Sequence, residues 1–116
     1  MIITVTLNAA LDRTLVASGF TVGRSLTVAP AHVQAGGKGI NVARALRALG
    51  APCHALGFAG GFTGAMMRHA LAAEGLAHEL IPIDAESRTC TAIVDPDRGV
   101  ATEVNESGPA IAAAER

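Results

Sequence analysis

β-Branched residues alternate along Ile2 to Leu7, which predicts a β-strand. Both faces of that strand are largely apolar, so it is expected at the centre of a sheet. Asn8-Ala9-Ala10-Leu11-Asp12-Arg13 then reads as the turn at its carboxyl end. From Thr14 to Gln34 no helical period appears. Leu15-Val16-Ala17, Phe20-Thr21-Val22 and Leu26-Thr27-Val28 are short strand-like pieces broken by Gly19, Gly23 and Pro30. So many β-formers between a first strand and its helix predict a small β-sheet flap beside the main fold. A helix follows with Ile40, Ala43, Leu46 and Leu49 on its inner face, ending at Gly50.

Pro52 to Phe58 predicts a second strand. The glycine-rich turn Gly57 to Gly64 leads into a helix carrying Met67, Ala70, Leu71 and Glu74, stopped by Gly75. Gly57 is expected to pack helix on strand, with Gly60 and Gly61 as candidate pocket wall. His78 to Ile83 forms a third strand. Cys90 to Val94 and Val100 to Val104 flank Asp95-Pro96-Asp97-Arg98-Gly99 and read as a hairpin joining the flap. Pro109 suits a first helical position, so Pro109 to Arg116 reads as the start of a helix without a C-cap. Strands alternating with helices make the class α/β.

Composition narrows the function classes. The 116 residues fit one small domain; half are hydrophobic and 16% charged, the balance of a globular protein. Trp and Tyr are absent, so Ala, Val, Leu and Ile must build the core. A net charge of −1 gives no electrostatic case for nucleic acid or an anionic membrane. Cys53 and Cys90 lack metal-ligand spacing and read as reduced thiols of a cytoplasmic protein. No signal peptide and no membrane-spanning run are recognised.

The chemistry concentrates in Gly36-Gly37-Lys38-Gly39-Ile40-Asn41. Glycines at a helix mouth let a ligand approach the backbone, and the first helical N–H groups lack partners in the chain. Lys38 adds a positive charge and Asn41 a two-way hydrogen-bonding amide. These features describe a pocket for a polar, anionic small molecule. A P-loop is excluded: no glycine stands at the required place upstream of Gly37-Lys38, and Gly39 follows the lysine where Ser or Thr is needed. A dinucleotide fingerprint fails too, for want of a third glycine after Gly37-Lys38-Gly39. Asp12 lies at a strand end, where a carboxylate can accept sugar hydroxyl protons or simply cap a turn. Arg88 stands before the hairpin, where its guanidinium can fork onto a phosphate or carboxylate.

Taken in order, Leu7-Asn8-Ala9-Ala10-Leu11-Asp12-Arg13-Thr14, Gly36 to Arg44, Leu56 to Gly64 and Thr102-Glu103-Val104-Asn105-Glu106 resemble the ribokinase-like sugar kinases. Within that family they are closest in pattern to the 1-phosphofructokinase and tagatose-6-phosphate kinase branch. The resemblance implies a parallel α/β sandwich with a β-sheet lid, here truncated at the C-terminal side, with lid segments near 14–34 and 88–105. It implies that Asp12 holds sugar hydroxyls and that Gly36 and Gly37 form the backbone surface against the sugar. Lys38 and Arg88 would hold the substrate's phosphate, and Asn41 a hydroxyl or that phosphate. The reaction would move the γ-phosphoryl of ATP, with Mg2+, to the free primary hydroxyl of a ketohexose monophosphate, fructose 1-phosphate first among them.

Departures from the family pattern are Ala9 and Ala35 in place of prolines, and Leu26-Thr27 in place of a pair that commonly carries Arg. The family's Gly-Ala-Gly-Asp segment, with the catalytic base and the nucleotide site in that half, does not occur. Residues 1–116 alone are therefore expected to show no turnover, with no catalytic residue and no metal ligand among them. The lid is the surface through which a homodimer would pair. The alternative function is a non-catalytic sugar-phosphate-binding or interaction module. A nucleotide-dependent oxidoreductase, taking Gly57 to Gly64 as its cofactor turn, explains fewer residues.

Overall fold

A computed structural model describes residues 1–116. Two sheets share one core. The first is three-stranded and parallel: β1 (Ile2–Thr6), β4 (Cys53–Gly60) and β5 (His78–Ile83), in the order β1-β4-β5. The second is mixed: β2 (Ala10–Val16), β3 (His32–Gly36), β6 (Arg88–Asp95) and β7 (Val100–Asn105), in the order β3-β2-β6-β7. Helix α1 (Lys38–Ala48) packs on β1 and β4, while α2 (Gly61–Glu74) touches strands of both sheets. Leu11, Ile40, Met67 and Leu71 are the largest fully buried side chains, and they come from β2, α1 and α2. Around them pack Ala35, Ala43, Ala55, Ala59 and Leu80. A core made mostly of alanines lets helix and sheet backbones approach closely, which fits a chain without Trp or Tyr.

Several sequence expectations hold. Helix α2 buries Met67 and Leu71, and Gly75 ends it in the left-handed conformation at φ 72°. Gly57 serves packing, though among strands and not of helix on strand: a Cβ there would lie 3.0 Å from the Thr6 carbonyl of β1 and 3.3 Å from Leu80 of β5. The hairpin β6–β7 pairs as expected and joins the second sheet through a parallel β2–β6 pairing.

Other expectations are corrected. Within residues 1–116 strand β1 has one partner, β4, and a second partner is not among these residues. Thr4 and Thr6 face inward, whereas Ile3, Val5 and Leu7 are 59%, 59% and 69% exposed. Asp12 lies inside β2, not in a turn, so the excursion begins at Ala10. Phe20 to Val22 and Leu26 to Val28 form no strands, for no neighbouring chain offers them a ladder. Helix α1 buries Ile40 and Ala43 but leaves Leu49 82% exposed, because the helix ends before it at Ala48. Pro109 to Arg116 is not helical apart from one 3₁₀ turn at Ala113–Glu115. An isolated segment that short cannot offset the cost of helix nucleation. Glu115 instead accepts backbone N–H groups of Asp84 at 2.8 Å and Ala112 at 3.0 Å.

Candidate sugar-phosphate site

The register of the second sheet builds the floor of the site. Asp12 pairs with Gln34 of β3 and Cys90 of β6, and Cys90 pairs with Asn105 of β7. One residue in two points to the same face, so the row Gln34, Asp12, Cys90, Asn105 and the next residues Thr14, Ala92 and Glu103 share it. The wall is the N-terminus of α1. Together they enclose an open cleft of about 450 Å³, into which Gly37, Lys38, Asn41 and Arg88 also project. Five of the six residues singled out from sequence (Asp12, Gly37, Lys38, Asn41 and Arg88) therefore line one cleft.

Gly36, the sixth, lies directly beneath Asp12. A Cβ at position 36 would occupy the space of the Asp12 carboxylate. Since that carboxylate is the end of a flexible side chain, Gly36→Ala should leave the melting temperature within a few degrees of wild type. It should nevertheless displace Asp12 and, if the cleft holds a sugar phosphate, lower affinity for fructose 1-phosphate about tenfold or more. Equal affinities for variant and wild type by calorimetry would contradict this.

Gly37 has φ 111° and ψ 155°, a region essentially restricted to glycine. Thr6 explains the spacing of Gly37 and Gly39. Its methyl group would lie 2.6 Å from a Cβ at 37, and its hydroxyl would collide with one at 39. The side chain of Thr6 wedges between the two glycines and seats the helix mouth against β1. No side chain caps α1 and its first turn holds no acidic residue, so its N-terminal N–H groups remain available to an anion.

The charged groups have distinct settings. Lys38 is exposed and makes no ion pair in the chain. Arg88 is partly committed: Nε and Nη2 donate to the Asn8 carbonyl at 3.2 and 3.0 Å, and Nη1 donates to the Glu106 carbonyl at 3.3 Å. Of its five N–H groups, these bonds use three and leave two for a ligand. Arg88 thus ties the end of β1 to the end of β7 at the edge of the cleft. Burial raises the Asp12 carboxyl above the ordinary range; Arg88 and Arg44 pull it back, and Glu103 adds to the rise. Burial likewise pushes the Cys90 thiol up. Both cysteines are free thiols. Gly60 and Gly61 do not line the cleft; they are pressed against the backbone of Ile83 and Ala85 and the side chain of Glu86.

Sequence reasoning gave no role at the site to Thr6, Gln34, Cys90, Glu103, Asn105 or the pair Arg44–Glu74. Alternation along β7 could have put Glu103 and Asn105 on one face, but the β2–β6 pairing has no local signal. Arg44 grips Glu74 with Nε and Nη2, both at 2.8 Å, across the two helices. That hydrogen bonding holds the Glu74 carboxyl below its usual range and raises Arg44. A depressed carboxyl stabilises the fold fully above its unfolded pKa, about 4.3, and the contribution is lost as pH falls through the folded value. The stability difference between wild type and Glu74→Gln should therefore shrink below about pH 4. A difference that stays constant from neutral to acid in urea titrations would refute the pairing.

With this geometry established, the chain matches the pfkB family carbohydrate kinase profile over residues 5–116. The chain belongs to that family. It is 38% identical to a 1-phosphofructokinase of Borreliella burgdorferi over 111 residues, covering 96% of this chain and 36% of that protein. Among solved structures it superposes on a possible 1-phosphofructokinase of Thermotoga maritima with TM-score 0.90 at 33% identity, covering 99% of this chain and 38% of that one. Phosphofructokinase-2 of Escherichia coli, solved in complex with fructose-6-phosphate, gives TM-score 0.93 at 28% identity, with 98% and 38% covered. The pfkB-family chain thus has the ribokinase-like fold and spans little more than a third of the length of these relatives. No helix is long and apolar enough to cross a membrane.

Proposed function

We propose that these residues are the sugar-binding part of an ATP-dependent kinase that phosphorylates a ketohexose monophosphate, converting fructose 1-phosphate to fructose 1,6-bisphosphate. The observation that carries this reading is the meeting of Asp12, Lys38, Asn41 and Arg88 in one cleft at an uncapped helix N-terminus. Asp12 accepts hydroxyl protons of the sugar. Lys38, the free N–H groups of Arg88 and the amide of Asn41 hold the phosphate it already carries. The second sheet acts as the lid against which the sugar lies, and the exposed Val100 and Val104, on the face of β7 turned away from the cleft, favour pairing with a second lid.

Phosphoryl transfer depends chiefly on positioning and charge stabilisation. This chain's residues supply the first: they fix the sugar so that its free primary hydroxyl meets the incoming phosphoryl group. This chain spans about 36% of the length of the Borreliella burgdorferi 1-phosphofructokinase, and ATP and Mg2+ are assigned to the remainder of the kinase. The bare face of β1, with Ile3, Val5 and Leu7, is the surface that part would cover.

The test is ADP release by the full-length kinase with fructose 1-phosphate, tagatose 6-phosphate and fructose as acceptors. Turnover should be greatest with fructose 1-phosphate and at least tenfold weaker in kcat/KM with unphosphorylated fructose, which lacks the charge-assisted contacts. Equal rates on fructose and its phosphate would remove the phosphate from the assignment, and no turnover on any of them would end the reading.

A further inference from the structure

Arg44 makes more side-chain hydrogen bonds than any other residue of the chain; these bonds reach the cleft only through another residue, while its charge also draws down the Asp12 carboxyl. Besides its fork onto Glu74 of α2, its Nη2 donates to the carbonyl of Ala35 in β3 at 2.7 Å. Its Nη1 donates to Asn41 Oδ1 at 2.9 Å. One guanidinium therefore links the second helix, the edge strand of the lid and an amide of the cleft wall.

The bond to Asn41 decides the polarity of that wall. An amide oxygen that accepts from a cation leaves both Nδ2 hydrogens free, and no group of the chain takes them. The reversed amide would set two N–H groups against a guanidinium. Asn41 is exposed and has no other side-chain restraint. Without Arg44 its amide would turn freely and offer the cleft an oxygen as often as a donor. A phosphate oxygen needs the donor. Glu74 matters in turn because it holds Arg44 in place from the far side.

We propose that Arg44, anchored by Glu74, is a positioning residue that sets Asn41 as a two-donor group facing the cleft. The proposal rests on the sugar-phosphate reading above and goes beyond it by assigning a role to two residues outside the cleft.

The experiment is steady-state kinetics of the full-length kinase, with the phosphosugar varied at saturating ATP, beside thermal melts. Arg44→Lys and Glu74→Gln should each raise the phosphosugar KM about tenfold, with kcat and the KM for ATP within about twofold of wild type. The double variant should be no worse than the weaker single one, because the two residues act as a unit. Asn41→Asp keeps an oxygen for Arg44 but gives the cleft an acceptor and a negative charge. It should raise KM about a hundredfold or more while the melting temperature stays within a few degrees. If Arg44→Lys and Glu74→Gln lower the melting temperature and leave KM unchanged, Arg44 is only a brace of the fold. A KM for Asn41→Asp within about twofold of wild type would also overturn the proposal. Failure of the underlying reading would show separately, as a wild-type enzyme without phosphosugar turnover, and would take this inference with it.

Discussion

Replacing Asp12 by alanine is expected to lower kcat/KM of the full-length kinase by about two to three orders of magnitude. The loss should be the same for phosphorylated and unphosphorylated ketohexoses, since both carry the hydroxyls that Asp12 is assigned to hold. The geometry explains the size of the effect. Asp12 stands in the middle of the row Gln34, Asp12, Cys90, Asn105, and its carboxylate lies over Gly36. Half-burial raises its pKa, and Arg88 and Arg44 oppose that rise. Asp12→Asn keeps the shape but exchanges an acceptor-only group for one that must also donate, so it should recover little of the activity. Coupled assays on both substrates decide the matter. A drop of less than about fivefold would reduce Asp12 to a structural strand residue.

Gly37→Ala should be the most destabilising substitution at the site, by about 3 kcal/mol or more. The backbone at φ 111° and ψ 155° costs a side chain about 1–3 kcal/mol. The added methyl would also press on Thr6 Cγ2 at 2.6 Å and the Ala9 backbone at 3.3 Å, and overpacking of this kind costs a further 1–3 kcal/mol or so. Neither neighbour can yield easily, since Thr6 and Ala9 are both buried. The contrast with Gly36→Ala is the informative one. Adjacent glycines should separate, with Gly37 governing stability and Gly36 governing the placement of Asp12. Urea midpoints for the two variants measure this, and similar midpoints would show that the helix mouth is not seated as described.

Much of this was legible along the chain. Glycines that end helices announced their position, and Gly75 at φ 72° fulfils that signal. The spacing of Met67 and Leu71 named the buried face of α2. Asp12, Lys38, Asn41 and Arg88 could be singled out because their chemistry is local: a carboxylate, a cation, an amide and a fork beside glycines. Local propensity failed where pairing decides the outcome. Phe20 to Val22 and Leu26 to Val28 contain good β-formers, yet no partner strand lies beside them. The local pattern puts Asp12 in a turn, yet pairing with Gln34 and Cys90 makes it the middle of a strand.

The sequence by itself determined the two helices, strands β1, β4 and β5, the β6–β7 hairpin and the candidate residues, since propensity, capping and charge act over a few positions of the chain. Only the tertiary structure decided what those residues do together. The parallel pairing of β2 with β6 joins segments some 78 positions apart, Ala10 opposite Arg88, and so puts Asp12 beside Cys90 and in one row with Asn105. The wedge of Thr6 between Gly37 and Gly39 and the reach of Glu74 through Arg44 to Asn41 are contacts between distant elements. Such contacts are fixed by packing around Leu11, Ile40, Met67 and Leu71. Packing is a property of the whole assembled core, and no short stretch of sequence encodes it alone.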